Sequence, residues 1–458
     1  MRRGQTPLFA LPVALLVTLP ALLVLLGLPA TVSARVIGIN AIAKPLTRER
    51  IATLPKKEQK FWLEYLERSE KQKAVDKQAL AAEQKTAGNT NPRHATGGRG
   101  MFALRIDHPA DWWTSDDAIR AAHNIVTWQV PDGGWSKNID MVSRPRAPGD
   151  LYDADNLDHF GDDADFDKPV DPNWHYIATL DNDSTWMQIR FLAHVTTALL
   201  AAHRDAEAAP FRASVERGIE YLLHSQYPNG GWPQVWPLEG GYHDAITIND
   251  DAMLHAIEIL HDVAAGAPDY AFLPSSLVKR AGPAAQRGID CLLRLQIVEN
   301  GVKTAWAQQY DPLILEPTSA RNYEMAALTS NESFPIAQFF MSLPNPTPAE
   351  VATVRAACTW FSKVEIMGFR YGSGNFMADR RDPKGRQLVA VAGAGPIWAR
   401  YYQIGTDKPI FGDRDKTIHD DVNELSLERR NGYSWYNSEG IAVLNEYKAW
   451  AQTHPGTT

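Results

Sequence analysis

"RGIEYLLHSQYPNGGWPQ", residues 217–234, carries a helix-like run into Gln226, then breaks it with Pro228, Asn229, Gly230 and Gly231 before Trp232. The same opening returns as "RGIDCLLRLQIVENG" at 287–301, and an earlier version reads "RAAHNIVTWQVPDGGW" at 120–135. Arg120, Arg217 and Arg287 each stand nine residues before a glutamine, at 129, 226 and 296, with apolar residues in matching slots between. A glycine after a helix adopts positive φ at little cost. A glutamine amide there can bond backbone groups left unpaired at a neighbouring helix end, and a tryptophan ring can cover the helix pair. Helical hairpins repeated in this way close into a ring. The expected fold is therefore all-α: an α/α toroid, an incomplete helical barrel with long functional loops and little β structure. Its uneven repeat spacing favours a barrel over an open solenoid.

The chain outside these repeats agrees. From residue 184 onward one apolar helical pattern follows another, as in "STWMQIRFLAHVTTALLAAHR" and "PAEVATVRAACTWFSKVEIMG", and alternating strand patterns are scarce. The 458 residues are 44% hydrophobic, enough for a large core. A formal charge of −8 argues against nucleic acid as a partner. It makes an anionic substrate depend on local basic side chains or a bound cation.

Residues 1–34 read as a signal peptide: Arg2 and Arg3 precede an apolar run from Leu8 to Ala30 and the small residues before Arg35. The run is also long enough for an uncleaved membrane anchor. A soluble body that is secreted or periplasmic is expected. Residues 35–100 form a charged helix and linker by pattern, and 101–458 the toroid. The aspartate-rich stretch 150–171 is expected to be a solvated loop. Cys291 and Cys358, in apolar helical contexts, are expected to be buried thiols, although the exported setting would permit a disulfide.

Chemistry is expected in the loops. Five stand out: "GGWSKNID" (133–140), "ATLDNDSTWMQIRFL" (178–192), "GGYHDAITINDDAM" (240–253), "AWAQQYDPLILEPTSARNYE" (305–324) and "AGPIWARYYQI" (394–404). In a toroid, loops of this kind converge at one mouth. Taken alone, Asp181 and Asp250 are plausible helix N-caps, and Arg321 pairs naturally with Glu324.

These motifs, with "DKPIFGDRD" (407–415) and "ERRNGYSWY" (428–436), resemble the family 10 pectate lyases from about residue 46 to 448. The resemblance implies cleavage of polygalacturonate by β-elimination, with Ca²⁺ as cofactor and a monomeric chain acting on pectate polymer or oligosaccharide. It implies Asp181, Asn182 and Asp250 as metal ligands and Arg321 as the base. Arg400 would hold a substrate carboxylate, with Lys137 as a second cation. Trp306 is the expected exposed sugar platform, because Gln308, Gln309 and Asp311 share its loop. The chain departs from the family pattern at Ser136, Asp183, Trp186, Tyr310 and "TSNES" (329–333). A terpenoid-cyclase-like toroid is a weaker alternative, because "DDAD" (162–165) does not match the acid motif it needs. A glycan-binding protein or hydrolase using Asp250 and Glu324 is another.

Overall fold

The structure is a computed structural model that describes residues 35–97, 104–154, 164–372 and 385–455. The signal-like segment lies outside these residues. So does the boundary expected at 100/101. No helix among the described residues is long and apolar enough to cross a membrane.

The helices, in chain order, are α1 (Arg48–Ile51), α2 (Lys56–Ala87), α3 (Asp116–Thr127), α4 (Trp186–Ala201), α5 (Asp205–Ser225), α6 (Ala252–Ala265), α7 (Ser275–Leu295), α8 (Ser333–Ser342), α9 (Pro348–Lys363), α10 (Leu427–Gly432) and α11 (Gly440–Thr453). Consecutive helices pack as pairs, α4 on α5, α6 on α7 and α8 on α9. The long members stand side by side, α3 against α5, α5 against α7 and α7 against α9. This is the expected all-α toroid, open rather than closed. The strands are short and serve to join loops.

The repeat works as a stitch between hairpins. Gln226 Nε2 donates to Gly230 O of its own turn (3.0 Å) and to Ala284 O of α7 (2.9 Å). Gln129 does the same to Gly133 O and Ser214 O, and Gln296 to Thr304 O and Thr353 O. The partner carbonyls lie within the neighbouring helices α5, α7 and α9, not at their ends as expected. Arg287 donates to Gln226 Oε1 (2.7 Å), and Arg217 to Gln129 Oε1. Each arginine therefore closes the stitch of the preceding repeat. Arg120 has no repeat before it and pairs with exposed Asp117.

The glycines follow from the same contacts. Gly133 and Gly230 have φ of 105° and 97°, and a Cβ on either would collide with the carbonyl of Arg217 or Arg287. Trp135, Trp232, Trp306 and Trp398 are fully buried, and their indole N–H groups donate to Ile125, Leu222, Leu292 and Phe361 carbonyls. Burial of rings of this size, each with its polar atom satisfied, is among the largest stabilising contributions a core offers.

The N-terminal segment shares the toroid's core. Trp62, Tyr65, Leu66 and Leu80 of α2 belong to the main hydrophobic cluster. Tyr65 donates to Ser225 O at the end of α5 (2.9 Å). Val36–Ile39 pairs antiparallel with Thr417–His419. The aspartate-rich stretch is not a solvated loop where it is described. Asp153 is fully buried and meets His94, and Asp171 pairs with Lys77. A buried carboxylate is costly unless partnered, and Asp153 has its partner, whereas Asp171 is only half-buried. Cys291 and Cys358 are buried free thiols, as expected, and burial pushes both up to about 12.

Candidate active site

Loops distant in sequence are laced by backbone hydrogen bonds. Thr179 N donates to Trp135 O, Leu180 N to Gln234 O, Thr247 N to Trp232 O and Ile248 N to Gln308 O. Thr329 N then bonds Trp306 O, Ser330 N bonds Arg400 O, and Arg400 N bonds Trp435 O. The buried tryptophan after each stitch thus anchors the strand that carries the next loop. All five motif loops become neighbours at the N-terminal ends of α4, α6 and α8, where the helix dipoles favour negative charge.

Backbone strain collects here. Asn182 and Asp183, before α4, have φ of 49° and 60°, and Asp250 and Asp251, before α6, have 51° and 55°. Left-handed non-glycine residues cost about 1–3 kcal/mol each, and Asn and Asp tolerate the region best. The capping alternative fails on geometry. The N-cap residues are Thr185 and Asp251, and neither makes a side-chain cap bond. The Asp181 and Asp250 carboxylates are therefore not spent on the helices.

Asn249 is the hub. Its amide nitrogen reaches Asp181 Oδ1 (3.4 Å), and its oxygen accepts from Arg400 (2.9 Å) and Gln308 (2.8 Å). Lys137 donates to Asp181, and its ammonium lies 3.2 Å from the centre of the Tyr176 ring. Arg400 donates to Glu332 and lies over Tyr433 at 4.6 Å, with its Nε unpartnered and buried. Arg321 is held bidentately by Glu324, at 2.8 and 2.5 Å. Glu324 also accepts from Tyr433 (2.7 Å) and Gln308 (3.3 Å). Asn40 of the N-terminal segment pins the Arg321 turn by donating to the carbonyls of Arg321, Asn322 and Glu324. One connected network thus contains Lys137, Asp181, Asn249, Arg321 and Arg400, and Asp250 lies near enough to Asp181 to feel its charge.

The charges are unevenly settled. Burial, followed by the neighbouring Asp181, pushes Asp250 up to about 7. Burial also raises Asp181, but the charge and hydrogen bond of Lys137 outweigh it and hold the carboxyl below its usual value. Two neighbouring buried carboxyls, one raised and one lowered, offer oxygen donors to a hard cation. Arg321 and Arg400 are both raised: burial alone would lower them, and Glu324 and Glu332, respectively, reverse it. Glu324 correspondingly falls to about 2, its burial outweighed by Arg321.

Trp306 stands apart from this network, and Asn182 lies at its edge. Trp306 is not an exposed platform: it is fully buried, donates to Leu292 O and stacks near Phe340. It is the repeat's core tryptophan, displaced in sequence because a hairpin, Val298–Glu299 with Val302–Lys303, lengthens the turn after Gln296. Asn182 is exposed beside Asp181 and bonds Asn138 (3.2 Å). Tyr310 is structural: its buried hydroxyl accepts from Ala307 N, as that of Tyr402 does from Ala399 N. Sequence reasoning missed Glu332, Tyr176 and Tyr433. Glu332 and Tyr433 sat in quoted motifs, but nothing local distinguishes a carboxylate or ring that meets an arginine from elsewhere in the chain.

Among solved structures the chain is similar to a family 10 polysaccharide lyase from Cellvibrio cellulosa. It is 28% identical, with 79% of this chain and 99% of that chain covered and a TM-score of 0.60. An aspartate-to-alanine mutant of that enzyme in complex with trigalacturonic acid matches at 27% identity, with the same coverage and TM-score. None of the curated proteins matches. These structural similarities, to chains sharing the helical toroid, place the chain among the polysaccharide lyases. The pattern of the pectic acid lyase family matches residues 129–444, and the chain belongs to that family.

Proposed function

We propose that the chain is an exported, calcium-dependent pectate lyase that cleaves polygalacturonate by β-elimination. In the reaction a base takes the proton from C5 of a uronate, the C4–O bond breaks, and the departing sugar oxygen gains a proton from solvent. A C4–C5 double bond remains. Asp181, Asp250 and Asn182 would hold Ca²⁺, and the donor set fits: all oxygen, with two carboxylates that repel until a cation or proton joins them. The ion, when bound, supplies positive charge to the uronate carboxylate and so acidifies the C5 proton. Arg400, with its unpartnered Nε, and Lys137 would grip substrate carboxylates. The carrying observation is the single network that joins these residues from five separate loops. The trigalacturonic acid bound by the Cellvibrio mutant supports this substrate class.

Arg321 is proposed as the base. The Glu324 clamp raises Arg321, so it can accept a proton only after substrate and cation have loosened the pair, and only at alkaline pH. The same clamp favours a second reading, in which Arg321 stays charged and stabilises the developing enolate. Rate against pH separates them. A base role predicts a rate still climbing at alkaline pH and abolished in Arg321→Lys. A charge role predicts a plateau and partial activity in Arg321→Lys. A maximum below neutrality would contradict the base role.

A further inference from the structure

We propose a second cation site, formed by Asp167, His175 and His243, that takes a borderline transition metal of the Zn²⁺ class rather than calcium. One ligand atom from each residue lies within 4.8 Å of the others. His175 and His243 are fully buried. The outer contacts are those that orient metal ligands. Glu239 engages Nδ1 of His175, so Nε2 is the nitrogen that would bind. Nδ1 of His243 faces Gly240 O at 3.3 Å. A carboxylate or backbone carbonyl on the far ring nitrogen is the usual support of a metal-binding histidine. Asp167 is fixed by the hydroxyls of Tyr176 (2.9 Å) and Tyr242 (2.6 Å).

Nε2 of His243 is buried without a hydrogen bond, and Asp167 Oδ1 lies 3.3 Å from it. That separation matches the edge of a tetrahedron with bonds of about 2 Å, the zinc–ligand length. Two imidazoles and one carboxylate suit zinc-like ions, whereas calcium takes oxygen. With neutral histidines, Asp167 and Glu239 supply two negative charges beside the ion, with Lys137 and Arg321 also acting on Asp167. A cavity of about 250 Å³ lies beside the cluster, lined in part by Phe166, Val170, Glu239 and His243.

The ion would act through structure. It ties residue 167 of the acidic stretch to the loops at 175 and 243. It thereby fixes Tyr176, whose ring carries the Lys137 ammonium. The site is separate from the Asp181–Asp250 pair and does not depend on the calcium proposal.

The test uses the full chain, stripped with chelator and titrated calorimetrically with Zn²⁺ in excess Ca²⁺, which fills the oxygen sites. One Zn²⁺ per chain is expected, with two imidazole ligands by X-ray absorption and tetrahedral visible bands on Co²⁺ substitution. His243→Ala and Asp167→Asn should each weaken Zn²⁺ at least about tenfold, and Asp250→Asn should leave it unchanged. Zn²⁺ uptake no stronger than Ca²⁺ would overturn the proposal, leaving a cluster held by protons alone. So would an all-oxygen zinc environment, or loss of zinc in Asp250→Asn. If His243→Ala does not fold, Asp167→Asn and the X-ray absorption of the unmutated chain decide.

Discussion

At the scale of single residues, the site depends on charges that are only partly compensated. Asp250 is pushed up to about 7 by burial and by Asp181. Removing one negative charge should therefore relieve repulsion while weakening the cation site. Asp181→Asn and Asp250→Asn are each expected to lower Ca²⁺ affinity at least about tenfold in calorimetric titration, with cooperative melting retained. Unchanged affinity in both would remove them from the cation site. Arg400 holds Asn249 and Glu332 at once and keeps Nε free. Lysine keeps the charge but not the fork, so Arg400→Lys should lower kcat/KM by about tenfold or more, the worth of one charge-assisted bond. Steady-state kinetics with the variant close to wild type would show that Arg400 grips nothing. Lys137, Asp181, Asp250, Arg321 and Arg400 could be singled out because their motifs resemble those of the pectate lyases, and the structure brings them together. Their partners could not. Glu332 reaches Arg400 across 68 positions, and Tyr433 reaches Glu324 across 109, separations that no local pattern encodes.

At the scale of the helical hairpin, the glutamine stitch is the unit of assembly. Gln226 satisfies Gly230 O, Ala284 O and the Arg287 guanidinium together. Gln226→Leu keeps the volume and strands three buried or half-buried groups, so it should cost about 2 kcal/mol or more in denaturant unfolding. Arg120 occupies the matching slot of the first hairpin with no earlier glutamine to bond. Arg120→Ala should stay within about 0.5 kcal/mol of wild type. Equal losses in the two variants would contradict the stitch. The repeat was legible through its spacing in the first two turns, where Gly-Gly-Trp follows the glutamine closely. It was hidden where insertions separate glutamine from tryptophan. That is why Trp306 read as exposed, and why Trp398, which donates to Phe361 O as the others donate to their helices, went unassigned.

At the scale of the whole molecule, α2 clasps the toroid through a buried carboxyl pair. Asp76 accepts from Gln72 (2.8 Å), and Asp132 in the first repeat's turn accepts from Gly134 N (2.8 Å). The remaining oxygen of each is buried without a hydrogen-bond partner; burial, followed by the neighbouring Asp76, raises Asp132 well above its usual value, so a proton held between the two is expected. Burial pushes Asp76 up to about 6 from an unfolded value of 3.8. The folded chain therefore holds that proton more tightly. The resulting stability is present below about pH 4 and is lost as pH rises through about 6. Asp132→Asn removes the penalty, so thermal melts should show the variant gaining on wild type by about 1–3 kcal/mol as pH goes from 5 to 8. Parallel melting curves would contradict a shared proton. The toroid itself was legible from the repeat. The N-terminal amphipathic helix was legible as a helix, but its docking and the strand before it were not, because the pattern does not show what the helix covers. The central claim is that five loops bring a hard cation and arginines to one uronate. It is tested most directly by the ultraviolet absorbance of the unsaturated product when the full chain acts on polygalacturonate. A rising trace is expected, silenced by chelator, restored by Ca²⁺, and absent in Asp250→Asn at the same calcium concentration. Bond cleavage with a flat trace, or a rise indifferent to chelator, would contradict it.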